Sequence, residues 1–332
     1  MTGLRFLSIA VAIAALPASA RGLSFSVAPG AVGGGGAACV LGAADICSSA
    51  GAGANATLLT AAMLGLLPGD DVDAASFNSA PPPPPFPAFG AVPLLFSVAP
   101  GALGPGLPGA PDPGAIYSSV GGGVAALSFG SAALGLALGD DVDGFDLASV
   151  LATSIFFSLA PGSPSLGALF APGDIFVSLG AGAFALFINA ESLGLCTFRV
   201  PICGGMNDNL DALVVNTDAW IFTGLLPPAI QTGGGLLFSV GPGTIGPGLP
   251  AGTLPGDVLF SAGGGVSGLY APAAALGLAA GDNLDALEIP EPGTLGLLTL
   301  AALTWAARVQ AAAKRTGRRE ARRPVRVRAR GV

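Results

Sequence analysis

Leu236-Leu237-Phe238-Ser239-Val240 runs into Pro242-Gly243, and Asp257-Val258-Leu259-Phe260-Ser261 follows. Leu276-Gly277-Leu278 comes next, then Asp282-Asn283-Leu284-Asp285 and Ala286-Leu287-Glu288-Ile289. Apolar runs of this length, broken by Pro-Gly and Asp/Asn turns, have the pattern of short β-strands. The series occurs three more times. Phe25-Ser26-Val27 precedes Pro29-Gly30, Phe96-Ser97-Val98 precedes Pro100-Gly101, and Phe157-Ser158-Leu159 precedes Pro161-Gly162. Second strands follow at Asp45-Ile46-Cys47, Ile116 to Ser119 and Asp174 to Ser178. Each copy then reaches a Leu-Gly-Leu (64–66, 134–136, 193–195) and an acidic turn. These turns are Asp70-Asp71-Val72-Asp73, Asp140-Asp141-Val142-Asp143 and Asp208-Asn209-Leu210-Asp211.

In three copies, three residues separate Leu-Gly-Leu from the first Asp; in the third copy twelve do, and that insertion carries Cys196 and Cys203. The openings are spaced 61 to 81 residues apart, which excludes a strict solenoid with its constant rise. Each copy offers about four strands: the opening, the second run, the stretch into Leu-Gly-Leu, and the one after the acidic turn. Four strands is the size of a propeller blade, so the expected fold is mainly β, a small propeller of four blades. A β-sandwich or irregular β-domain is the rival. The repeats fall at about 23–77, 94–150, 155–215 and 236–289, with an extended Pro-rich linker at 81–87.

Gly at 53 and Pro at 29 of 332 residues leave little room for long helices. Charge is divided sharply. Ten of the 13 basic residues lie at or after Arg308, and between residues 22 and 292 only Arg199 faces 19 acids, a formal charge of -18. Such a body does not bind nucleic acid by neutralising phosphates. It repels anionic polymers unless a divalent cation bridges them.

Both ends read as targeting segments. Residues 1–20 carry Arg5, an apolar run from Phe6 to Leu16 and Ala18-Ser19-Ala20, the features of a cleaved signal peptide. At the other end Pro290-Glu291-Pro292 precedes the apolar run Leu295 to Ala307, and a basic tail, 314–332, follows. A greasy segment ahead of dense positive charge is a stop-transfer arrangement, with a membrane helix expected over about 294–313. Residues 290–319 resemble the PEP-CTERM sorting segment. That resemblance implies an exosortase-type enzyme as partner, a transient or permanent membrane association, and delivery to the cell surface or an exopolysaccharide layer. The run interrupted at Arg308 and the long tail depart from the family's pattern. The body also looks like repeats of uncharacterised exported bacterial proteins, which implies no activity.

Export makes disulfides expected, with Cys39–Cys47 and Cys196–Cys203 closing small local loops; the other pairings remain open. Histidine is absent, which removes Ser-His-Asp and Cys-His nucleophile systems. No Walker A motif or credible Rossmann unit is present. The acidic turns are the recurring polar cluster. Asp70, Asp71, Asp73, Asp140, Asp141, Asp143, Asp208, Asp211, Asp282 and Asp285 are candidate Ca²⁺ ligands; the alternative is a solvated turn whose Asp and Asn bond local amides. Acids recurring in every copy point to architecture rather than to a unique catalytic pair. Trp220, Tyr117 and Tyr270 are candidates to stack on sugars or to fill the core. Three functions remain: a non-enzymatic surface or matrix protein associated with exopolysaccharide, an extracellular carbohydrate-binding protein or hydrolase, and a permanently anchored single-pass protein.

Overall fold

The structure is a computed structural model and describes residues 23–33, 39, 42–49, 51–77, 93–147, 155–216 and 235–288. Residues 1–20, the linker at 81–87, Trp220 and everything from Pro290 onward lie outside these. Among the described residues no helix is long and apolar enough to cross a membrane.

Among the described residues sixteen short strands form four antiparallel sheets. The first holds β1 (Leu23–Ser26), β2 (Ile46–Ser49) and β3 (Asn55–Leu59), the second β4 (Ala74–Phe77), β5 (Leu94–Ser97), β6 (Ile116–Ser119) and β7 (Ala125–Phe129). The third runs β8 (Val142–Leu147), β9 (Ile155–Leu159), β10 (Ile175–Gly180) and β11 (Ala183–Ile188). The fourth runs β12 (Leu210–Asn216), β13 (Gly235–Val240), β14 (Val258–Ser261) and β15 (Ser267–Ala271). The last strand, β16 (Ala286–Glu288), returns to pair with β1, so the first sheet reads β16-β1-β2-β3. The sheets are the blades of a four-bladed β-propeller, and β16 closes its ring.

The sequence copies and the blades are offset by one strand. The strand after each acidic turn does not finish its own copy's sheet; it becomes the innermost strand of the next blade. A crossing of this kind ties each blade covalently to its neighbour. The Leu-Gly-Leu motifs also differ from expectation. They end single helical turns, Ala61–Leu64, Ser131–Leu134, Ala190–Leu193 and Ala273–Leu276, rather than strands. The central glycine takes a left-handed cap at φ between 76° and 87°, which an L side chain rarely adopts.

The apolar core is divided into four seams, one between each pair of adjacent blades. The repeat explains this. Leu64 and Leu66 pack with Phe96, Leu134 and Leu136 with Phe157, Leu193 and Leu195 with Phe238, and Leu276 and Leu278 with Phe25. Each Phe therefore packs backward onto the preceding blade's exit, and burying each such side chain stabilises by about 2–3 kcal/mol.

The strand's period of two turns the next residue the other way. Ser26 Oγ donates to the Val72 carbonyl (2.9 Å), Ser97 Oγ to Val142 (3.0 Å), Ser158 Oγ to Leu210 (3.3 Å) and Ser239 Oγ to Leu284 (2.7 Å). All four serines are fully buried, and each reaches the start of the following blade's inner strand. Phe-Ser thus binds one blade to both neighbours.

Both disulfides are formed, Cys39–Cys47 and Cys196–Cys203, with Cα–Cα separations of 6.0 and 5.5 Å. Bonds of this kind belong to an oxidising, extracytoplasmic compartment.

Candidate functional site

The four acidic turns meet at one end of the propeller, where the inner strands begin, and their residues divide into two kinds. The first Asp of each turn is a staple. Asp70 accepts from the Leu67 amide (2.7 Å) and from the Leu103 amide of the next blade (2.8 Å). Asp140 accepts from Ala137 (2.6 Å) and Ser165 (2.7 Å) amides and from the Ser165 hydroxyl. Asp208 takes the Cys196 (2.6 Å) and Ile245 (3.1 Å) amides. Asp282 takes Ala279 (2.8 Å), Val32 (2.9 Å) and Gly33 (3.0 Å). In the third copy the staple spans the insertion: Cys196 follows Leu195 as Leu67 follows Leu66. The disulfide loop is therefore looped out without disturbing the turn. These four carboxylates are buried and occupied, not solvated.

The second and fourth residues of each turn point inward and form a ring about the axis. Asn283 Nδ2 donates to Asp211 of the preceding blade (2.7 Å), and Asn209 Nδ2 to Asp143 (2.6 Å). Each Asn also bonds the Asp two residues on, Asn283 to Asp285 and Asn209 to Asp211. The same link in the next blade joins Asp141 to Asp73 as a carboxyl pair. At the fourth position Asp71 faces Asp285 through charge. Two links are thus amide to carboxylate, and two are carboxyl against carboxyl. Opposite inner strands β4 and β12 approach within 8 Å, Cα to Cα, so the axis is too narrow to admit a sugar ring.

Burial sets the chemistry of this ring. It pushes Asp71 up to about 7, helped by the charge of Asp141, and Asp285 up to about 9, helped by Asp71, Asp211 and Asp143. Asp73 and Asp143 are raised for the same reason, with neighbouring carboxylates adding to it. Asp141 and Asp211 rise less, to about 6, because hydrogen bonds from Asp73 and from the two asparagines favour their charged forms. No cation offsets this among the described residues, since Arg199 is engaged by Asp174 (2.5 Å) and Glu191 (2.7 Å).

The ring makes stability depend on pH. An unfolded Asp ionises near 3.8, whereas ring members hold their protons up to about 6–9. Between those limits the folded state binds more protons, so its advantage is complete below the lower limit and is lost as pH rises. Acidifying the ion-free protein from about pH 9 to about pH 5 is expected to raise Tm by about 5 °C or more. Melting curves in chelator across that range check this, and a flat or falling Tm on acidification contradicts it.

Other acids are also architectural. Asp45, Asp174 and Asp257 each accept the first amide of a helical turn, from Ala61, Ala190 and Ala273, all at 2.8 Å. At the far ends of the inner strands, Asp146 accepts from Ser76 and Val215, and Glu288 from the Phe77 amide. Tyr117 is buried core, its hydroxyl bonded to Asp112, and Tyr270 packs partly buried against the seam of blades four and one. The buried Tyr117 ring offers no free face to a sugar. Asn55 of the Asn55-Ala56-Thr57 sequon is buried and bonds Cys39 and Leu276. Among the described residues, a shallow pocket of about 230 Å³ on blade two is lined by Pro93, Ser118, Val120, Val124 and small neighbours, without a carboxylate. Among the described residues no three acidic or cysteine side chains are grouped so that they could hold a metal ion.

No protein-family model matches the chain, and no curated protein does. Among solved structures the chain is similar to an ancestral GH74 enzyme at 12% identity and a TM-score of 0.26, over 74% of this chain. It spans 24% of that enzyme's length.

The sequence motifs that carried the candidate ligands contained these roles, but spacing alone did not separate them. The serine latches and the staples needed the offset between copy and blade before their partners were visible.

Proposed function

We propose that this protein is a non-enzymatic surface or matrix protein, exported through its N-terminal segment and sorted by an exosortase-type system that reads Pro290-Glu291-Pro292. The observation that supports it best is how the recurring polar residues are used. The first acids and the serines hold blade to blade, and the ring acids face an axis too narrow for a saccharide. A rigid, disulfide-stapled, strongly acidic body suits display in an extracellular polymer layer, where it would meet exopolysaccharide through bridging cations.

The test is delivery. With a tag at each end of the mature chain, cell fractionation is expected to show the body in the surface fraction, freed of the basic tail. Full-length protein retained in the inner membrane, whether or not the sorting enzyme is present, would sink the reading and leave a single-pass anchored protein. The rival function, an extracellular hydrolase or carbohydrate binder, requires release of reducing sugar or retention on a polysaccharide column by the purified body in chelator. Neither is expected.

A further inference from the structure

The body's negative charge is turned inward. Among the described residues no Asp or Glu is exposed; each is buried or half-buried. Arg199, the one cation among them, is held by Asp174, Glu191 and the Leu169 carbonyl (3.2 Å). The exterior is therefore left to uncharged side chains, and large aliphatic ones recur at the end of the propeller where the acidic turns meet.

The staples put them there. Each staple Asp fixes the amide of the residue two places after a Pro-Gly turn: Leu103, Ser165, Ile245 and Val32. With the amide held, the side chain stands outward. Blade three has Ser165 at this position, but Leu138, beside the staple's other donor Ala137, takes the exposed place. Leu169, on the loop between β9 and β10, and Ile202, on the disulfide insertion, complete the crown. Its six apolar residues are between 55% and 92% exposed. The turns beside them are bare: a Cβ added to Gly30, Gly101, Gly162 or Gly243 would meet nothing within 4 Å. Six side chains so exposed, with the prolines between them, offer on the order of 800 Å² of apolar surface. The largest patch on an ordinary monomer is roughly 300–600 Å², and each partner of a stable complex buries about 800 Å².

We propose that this end of the propeller is an interface with a second copy of the same chain, crown against crown about a two-fold axis. An uncharged apolar face selects an uncharged apolar partner, and a second copy supplies one of equal size. Knobs and bare Pro-Gly turns both recur around the blades, so a two-fold axis set between blades brings the knobs of one copy over the turns of the other. No exposed acid of one copy meets one of its partner. At the centre of the crown, burial raises Asp71, Asp73, Asp143 and Asp285 well above the ordinary carboxylate range. That limits the charge the two rings bring together. Pairing leaves the outer strands β3, β7, β11 and β15 free. It needs only the folded body, whichever fraction of the cell holds it.

The test is made in intact cells on the full-length chain. A photo-crosslinking residue placed at Leu138 is expected to give an adduct of two chains whose linked peptides both come from the crown. One placed at Leu269, exposed on the outer strand β15, is expected to give none. This contrast decides the question on an otherwise unaltered body. The double variant Leu103→Ser, Ile245→Ser adds a second reading. It takes the residue that Ser165 already supplies in blade three and keeps the amides that the staples hold, so it is expected to fold and to resist protease like the parent. In it the yield of the Leu138 adduct should fall about tenfold or more, as when central apolar contacts leave an interface. The proposal is overturned if Leu138 links only to lipid or to a different protein, or to nothing. It is also overturned if two-chain adducts are as abundant from Leu269, or undiminished in a folded double variant.

Discussion

Gly248→Ala is expected to destabilise the protein by more than about 4 kcal/mol, the range reached when a substitution forces backbone apart. A Cβ at Gly248 would lie 2.0 Å from the Gly265 carbonyl oxygen and 2.6 Å from Gly194 Cα. Neither is a side chain able to swing away. The three glycines stack because the loop before β14 passes between two blades. The Gly248 amide donates to Gly194 (3.0 Å), and its carbonyl accepts from Ser267 (2.9 Å). Relieving the clash breaks both bonds and opens the seam holding Leu193 and Phe238. Gly106 makes the same stack in blade two, where an added Cβ would lie 2.5 Å from the Gly123 oxygen and 2.6 Å from Gly65 Cα. Gly243→Ala is the control. Its positive φ of 86° makes alanine cost about 1 kcal/mol, but its Cβ would meet nothing within 4 Å. Urea unfolding separates the two, and equal losses would contradict the packing described.

The second large effect is expected at a staple. Asp140→Ala should cost about 3–4 kcal/mol, because a fully buried carboxylate there satisfies two amides and a hydroxyl on two blades. Removing it orphans the Ser165 amide and leaves the Ala137 amide only its longer bond to the Ser165 hydroxyl (3.2 Å). Asp141, one residue on, faces the ring instead, so neutralising it relieves repulsion. The contrast between adjacent residues is the distinguishing readout. A loss at Asp140 within about 0.5 kcal/mol, the size of a surface change, would mean that the staple does not hold the blades.

Much of this fold was legible in the repeat itself. Phe-Ser, Pro-Gly, Leu-Gly-Leu and the acidic turn recur in fixed order, and four strands per copy fit a blade. Cys39–Cys47 and Cys196–Cys203 pair locally, as their spacing suggested. What the pattern did not show was the cut between blades. Periodicity reports that Ala286 to Glu288 is a strand, but pairing with β1, more than 250 residues away, is a matter of ring closure. The helical turn before each Leu-Gly-Leu was hidden for another reason: four residues are too few to display a helical period. The acidic turns were the hardest to read. Asp70 and Asp71 are neighbours of identical chemistry, and only their directions, one toward amides and one toward the axis, divide staple from ring.

The closing strand also bears on delivery, because Glu288 stands two residues before Pro290-Glu291-Pro292. Processing upstream of Ala286 would remove β16 and open blade one. The decisive measurement is the intact mass of the protein recovered from the surface fraction. The expected species begins near Arg21, ends beyond Glu288, lacks the basic tail and carries both disulfides. A species ending before Ala286 would contradict the ring closure, and a full-length mass with residues 314–332 still attached would contradict the sorting proposed here.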